Sequence, residues 1–222
     1  MARVLVIAAH LDDEVLGAGG TIAKHVEAGD QVTVCIACKR AYHHQFDPRL
    51  VQEEKDAALR GQKVLGYQEI RFLDLRDECL DERLLDIIVP LEECIQQVKP
   101  TVVYANHRGD SNQDHRAVFQ AAVVACRSFA SHKVSRLLCY EVLSSTDQSP
   151  PFPELAFQPN FYVDISRFLD RKKEAMKAYQ REMREFPHPR SLKGIEVLAQ
   201  KRGMEIGFGA AEAFVMMRDE WA

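Results

Sequence analysis

Arg3 to Ala9 is an unbroken run of β-branched and small apolar residues that ends in a polar loop, the pattern of a strand buried on both faces of a parallel sheet. Helical spacing follows over Glu14 to Ala28 and stops at Gly29-Asp30, after which Gln31 to Ala37 reads as a second strand. The alternation continues with a helix at 51–65, a strand at Ile70 to Leu73 and a helix at 82–98. Then come a strand at Thr101 to Ala105 behind Pro100, a helix at 114–130 and a strand at Arg136 to Val142. Strands alternating with helices predict an α/β fold, Rossmann-like and doubly wound, with a mostly parallel sheet covered by helices on both faces.

The pattern changes at Ser144. Residues up to Asn160 are rich in Ser, Thr, Gln and Pro and read as a long ordered loop. Beyond it come a short strand at Tyr162 to Ile165, a basic helix over 166–185, a His-Pro-Arg-Ser turn at 188–191, another helix and a strand-like Ala213 to Met217. The basic helix interleaves its Lys and Arg with Asp170, Glu174, Glu182 and Glu185, so it reads as a solvated face. We expect one domain over 1–222, with 1–143 as the Rossmann-like core and 144–222 as a loop and C-terminal extension packed on it.

Composition narrows the function. With 46% hydrophobic and 28% charged residues in 222, the chain is an ordinary globular protein. A formal charge of −4 gives no general attraction to nucleic acid or an anionic membrane. Val4 to Ala9 is too short to span a bilayer and runs straight into acids, so no membrane insertion and a cytoplasmic location are expected. The six cysteines mostly sit in apolar stretches and read as reduced, buried thiols; Cys35 and Cys38 form a CxxC with no second pair to complete a zinc ribbon.

The candidate chemistry lies where two strands end. After the first come Ala9-His10-Leu11-Asp12-Asp13-Glu14, whose three carboxylates repel one another by about 1 kcal/mol per pair at 4 Å in water and about 4 kcal/mol at a surface-like dielectric. A helix N-terminus offsets only about 0.3 to 1 kcal/mol, whereas a divalent cation accounts for the whole group. The segment from His107 to His115 holds the corresponding place after the fourth strand. In the common strand order 3-2-1-4-5 those two strands are neighbours across the switch point, which lets His10, Asp13 and His115 converge. Two imidazoles and a carboxylate leave room for solvent, as catalytic zinc sites do, and the set also admits ferrous iron. Asp13 is assigned to the metal and Asp12 to the general base, and Asp110 and Asp114 are candidate acceptors for a ligand histidine's other N–H, Asp114 equally a helix cap.

The segments AHLDDEVLGAGG and GDSNQDHRAV resemble the LmbE/PIG-L family, metal-dependent N-deacetylases of N-acetylglucosamine-type sugars. Weaker likenesses at YEVLSST (140–146), PNFYVDIS (159–166), and RG and AEAF between 202 and 214 extend the resemblance over nearly the whole chain. It implies His10, Asp13 and His115 as zinc ligands and Asp12 as base. Leu11 replaces the family's usual Pro, and Asn112 stands where some members place a histidine beside the oxyanion. An Asn amide donates to an oxyanion but delivers no proton, which leaves Asp12 to return its proton to the leaving amine.

The expected substrate is a small N-acetylated amino sugar, free or carried on a nucleotide, glycoside or lipid, with self-association of the chain open. Arg40, His44, Glu141, His188 and Arg190 are candidate substrate contacts, and Arg190 suits an anionic aglycone. His43 and Asp77 are weaker candidates. The glycines 17, 19 and 20 read as close helix packing rather than a dinucleotide fingerprint. Two rival readings are a metallophosphoesterase and a non-catalytic nucleotide- or metal-binding module.

Overall fold

A computed structural model describes residues 1–220. Strand β1 (Arg3–Ala8) shows why the apolar run needs two covers. Val4, Val6 and Ala8 enter one core with Ile22, Leu65 and Ile195, whereas Leu5, Ile7 and Ala9 enter another with Ile87, Leu91 and Val118. Around β1 lie β2 (Gln31–Lys39), β3 (Glu69–Arg76), β4 (Val102–Asn106) and β5 (Arg136–Tyr140), all parallel, in the order β3-β2-β1-β4-β5. Two antiparallel strands extend this sheet beyond β5: β7 (Ala211–Asp219) and then β6 (Phe161–Asp164) at the edge.

Helices α1 (Asp13–Glu27), α2 (Pro48–Leu65), α5 (Leu169–Met176) and α6 (Leu192–Met204) cover one face. α3 (Leu85–Val98) and α4 (Gln113–Ala125) cover the other. α2 starts three residues before the periodicity does, because Asp47 accepts from the Arg49 N–H at 2.8 Å and Pro48 stands at its first position. The glycines of α1 are indeed packing residues. A Cβ on Gly17 would lie 2.1 Å from the Tyr140 ring, and one on Gly20 would lie 2.7 Å from Ile165.

Three expectations about helix length are corrected. The basic helix stops at Met176 instead of 185, since tight turns after it carry Tyr179 into the interior, where it is fully buried. α4 ends at Ala125, capped through the Cys126 N–H, and α3 begins at Leu85. The loop from 144 to 160 contains one short 3-10 turn, Thr146–Gln148. Among the described residues, no helix is long and apolar enough to cross a membrane.

Candidate active site

Pairing of β1 with β4, Val4 opposite Val102 and Val6 opposite Tyr104, brings the ends of the two strands side by side. Asn106, the last residue of β4, joins them: its Oδ1 accepts from the Ala9 N–H at 3.1 Å and its Nδ2 donates to Asp13 Oδ2 at 3.2 Å. Tyr140 at the end of β5 donates to the Ile7 carbonyl at 2.7 Å and lies 3.2 Å from the same Asn106 oxygen. Neither Asn106 nor Tyr140 stood out in the sequence, although a polar residue closing an otherwise apolar strand was a usable signal.

His10 and His115, 105 residues apart in the chain, meet here. His10 Nδ1 lies 3.0 Å from His115 Nε2, and Asp13 Oδ2 lies 3.8 Å from the first atom and 3.3 Å from the second. The far ring atoms are engaged as well. His10 Nε2 faces Asp77 Oδ1 at 2.8 Å and Asp114 Oδ2 at 3.3 Å; His115 Nδ1 faces Asp110 Oδ2 at 3.0 Å. Carboxylates require N–H donors, which assigns the protons to those far nitrogens and turns two lone pairs toward each other at 3.0 Å. A cation relieves that contact. Ligands about 2.0 to 2.1 Å from a tetrahedral zinc stand about 3.4 Å from one another, close to the three separations seen, so the set can hold a metal ion.

The carboxylates that fix the rings also favour a proton on His10, which competes with a metal ion for the same ring nitrogen. Burial disfavours the His10 cation, yet hydrogen bonds to Asp114 and Asp77 outweigh it and hold its pKa well above the ordinary value. Burial also opposes ionisation of Asp77, but His10 and the Ala41 N–H, 2.8 Å away, keep its pKa below the usual range. His10, Cys38, Asp77 and Asp114 form a second group of donors within 4.8 Å of one another. Its carboxylates already accept from the backbone N–H groups of Ala41, Glu78 and Leu80, so Asp77 and Asp114 orient His10. Asp110 is fixed likewise by the Ser145 and Thr146 hydroxyls and the Asn112 N–H.

Asp114 is not the cap of α4; Asn112 is, accepting from the Asp114 N–H at 2.8 Å. That fixes the Asn112 oxygen on the helix and leaves its NH2 as a donor beside a cleft of about 420 Å³. His10, Arg40, His44, Asp77, Asn112 and Asp114 line this cleft. Asp12, Asp13 and His115 lie beyond its wall, each no more than 2% exposed. Asp12 occupies left-handed backbone at φ 117°, and its buried Oδ2 has no hydrogen-bond partner among the described residues. Burial raises its pKa well above the ordinary carboxylate value, opposed by Arg190, whose Nη1 is 3.5 Å away, and reinforced by Asp13 and Glu182.

The other candidates divide. Arg190 reaches Asp12 but pairs with Glu182 and donates to Ser144 Oγ at 2.6 Å; Arg40 shares Glu182 at 3.5 Å. Arg190 is therefore held between Glu182 and Asp12 with its side chain 19% exposed. His44 is exposed and pairs with Glu78 at 2.7 Å on the cleft rim. Glu141 stands apart from the cleft: Arg202 engages both its oxygens at 2.7 Å. His188 is exposed, with its Nδ1 accepting from the Arg190 N–H in the turn. Glu182 and Tyr179 were missed because both lie inside what read as a solvated basic helix.

The Rossmann-like sheet thus carries, at the ends of adjacent parallel strands, a buried His-Asp-His set that could hold a metal ion. Residues 5–126 match the model of the PIG-L family, GlcNAc-PI de-N-acetylase, and the chain belongs to that family. It is similar to the uncharacterized deacetylase YaiS of Escherichia coli K12, with 28% identity covering 73% of this chain and 81% of the relative. It is equally similar, at 28% identity over 80% of this chain and 82% of the relative, to a probable N-acetyl-alpha-D-glucosaminyl L-malate deacetylase 2 of Bacillus subtilis 168. The crystal structure of the conserved protein TT1542 from Thermus thermophilus superposes with a TM-score of 0.81 and 25% identity, covering all of this chain and 97% of that one. The protein is a deacetylase, an enzyme that hydrolyses an amide.

Proposed function

We propose that the protein removes the acetyl group from an N-acetylated amino sugar of the N-acetylglucosamine type, using zinc held by His10, Asp13 and His115. The observation that carries this reading is the meeting of the two imidazole nitrogens beside Asp13, with Asp12 next in the chain, its buried Oδ2 free of hydrogen bonds among the described residues. Zinc or ferrous iron bound there supplies positive charge that polarises the amide carbonyl and eases ionisation of a water. Asp12 accepts the proton of the attacking water and returns it to the sugar nitrogen as the C–N bond breaks, so acetate and the free amine leave. The Asn112 NH2, held outward by its cap, donates to the oxygen of the tetrahedral intermediate. Asp77 with Asp114, and Asp110, keep the two rings in the orientation this requires.

Arg40 and Arg190 share the single carboxylate of Glu182 beside the site, so a neutral glycoside and an anionic one both belong in the substrate panel. Acetate release from a panel of N-acetylhexosamines and their glycosides, after zinc loading, tests the reading. Asp12→Asn is expected to lower kcat by about 10² to 10⁴ while zinc content and fold persist. Wild-type turnover in that variant would remove Asp12 from the base role, and hydrolysis of phosphate esters alone would replace the reading itself.

A further inference from the structure

Asp12 depends on its backbone for its aim. Among the described residues its Oδ2 has no hydrogen-bond partner, and the Arg190 guanidinium stands off at 3.5 Å. That backbone is in a conformation L residues avoid, φ 117° and ψ −25°, which persists only where its surroundings over-determine it. Its carbonyl is anchored as the first acceptor of α1, taking the N–H groups of Val15 at 3.0 Å and Leu16 at 2.9 Å. Its N–H goes to Glu14 Oε2 at 3.1 Å. The other Glu14 oxygen accepts from the Tyr179 hydroxyl, 165 residues further along the chain.

Both partners are built in. Glu14 and Tyr179 are each 0% exposed. The helix that should have run through 179 breaks at Met176 so that the ring can turn inward. Gly61 on α2 leaves the ring its space, since a Cβ there would come within 3.3 Å of it. Glu14 meets a hydroxyl and an N–H, so it works as a two-sided acceptor rather than as half of an ion pair. We propose that Tyr179 and Glu14 are positioning residues for the deacetylation: the hydroxyl fixes the carboxylate, the carboxylate holds the Asp12 N–H, and the strained backbone then aims the Asp12 side chain at the reacting water. The inference rests on Asp12 acting as the base, and misplacement of such a group by about 1 Å is worth roughly 10²-fold in rate.

The test uses the zinc-loaded full chain, with the methyl glycoside of N-acetylglucosamine as substrate and hydrogen exchange at the Asp12 amide as a second readout. Tyr179→Phe is expected to lower kcat about tenfold with KM within twofold, unchanged zinc content, and Asp12 exchange about tenfold faster against an unchanged background. Glu14→Gln keeps an acceptor for Asp12 and offers an NH2 to the Tyr179 oxygen, so it should retain at least a third of kcat; Glu14→Leu should lose about 100-fold. Unaltered Asp12 exchange in Tyr179→Phe overturns the proposal, whatever happens to activity. So does a Glu14→Gln protein as impaired as Glu14→Leu, which would make the charge the essential feature. If the wild type releases no acetate at all, the functional reading fails instead, and the exchange measurement still decides whether the clamp exists.

Discussion

The segment matched by the family model, 5–126, and the segment after β5 treat buried charge differently. In the first, charged side chains cluster at the ends of parallel strands and are held by backbone N–H groups and by one another, as Asp77, Asp110 and Asp114 show. In the second, charged and hydroxyl groups reach across to the first and grip it. Lys172 Nζ donates to the Leu16 carbonyl at 2.8 Å and to Glu212 at 2.7 Å; Glu212 accepts the N–H groups of Gly20 at 2.9 Å and Thr21 at 2.7 Å. Tyr179 and Arg190 extend the same behaviour to Glu14 and Asp12. The contrast is one of placement: the parallel half carries the His-Asp-His set and the carboxylates that hold its rings, and the antiparallel half braces α1 and the loop before it.

The largest effect that sharpens this contrast lies at Lys172. Both members of its pair with Glu212 are at most 5% exposed, so Lys172→Met leaves a buried carboxylate without its cation. Breaking such a pair costs about 3 to 5 kcal/mol, whereas removing both charges is often close to neutral. Urea unfolding should show that loss in Lys172→Met, with little recovery in Lys172→Met/Glu212→Gln because a Gln NH2 would face the N–H of Gly20 or Thr21, and with kcat per folded molecule within threefold of wild type. A variant that unfolds normally yet has lost its turnover would place chemistry, not support, in the antiparallel half.

The two halves also differed in how well they could be read. β1, β2 and β4 announced themselves because each buried run is continuous and bounded by turn residues, whereas the order β3-β2-β1-β4-β5 was expected only as the common doubly wound arrangement. His10, Asp13 and His115 could be paired before any coordinates because the ends of neighbouring parallel strands must adjoin. Asp77 was noticed only as a polar residue at the end of an element; its bond to His10 depends on where β3 stops, which no local pattern reveals. Tyr179, Glu182 and Arg190 were harder still. Their partners lie far back in the chain, and the Lys and Arg around 171–184 gave a helical, solvent-facing pattern that tertiary packing overrides at Met176. The turn at 188–191 drew attention to Arg190, but only packing shows its pairing with Glu182.

A smaller effect tests whether every histidine of the parallel half belongs to the chemistry. His107 opens the segment that ends in His115, yet its Nδ1 accepts from the Gly109 N–H at 3.1 Å and its ring packs edge-on against Phe157. Burial, then Arg108, lowers its pKa from 6.5 to about 4. The unfolded chain therefore binds this proton first as pH falls. The stability contributed by the neutral ring is complete above about pH 6.5 and is lost as pH falls through 6.5 toward 4. Between pH 7.5 and pH 5 the wild type should lose roughly 1 to 2 kcal/mol more than His107→Gln, after allowance for screening. Parallel unfolding curves for the two proteins would deny His107 this part in acid lability; a large drop in kcat at pH 7.5 would return it to the site.

The smallest expected effect concerns Glu141, just past β5, where the two halves join. Sequence position made it a candidate substrate contact, but its carboxylate faces Arg202 of α6, and the guanidinium is shared further with Glu205 at 3.0 Å. Both side chains of the Glu141–Arg202 pair are mostly buried, so this bidentate contact should be worth more than an ordinary surface ion pair. Glu141→Gln keeps one acceptor and gives up the charge, which should lower stability by about 1 kcal/mol. Arg202 keeps Glu205, so the cost is not that of a stranded cation. The cleft beside His10 contains neither residue, and kcat/KM for an N-acetylglucosamine glycoside should stay within twofold of wild type. A tenfold rise in KM with unchanged stability would mean that substrate reaches across the join to Glu141, and the antiparallel half would then read the sugar as well as support the machinery that cleaves it.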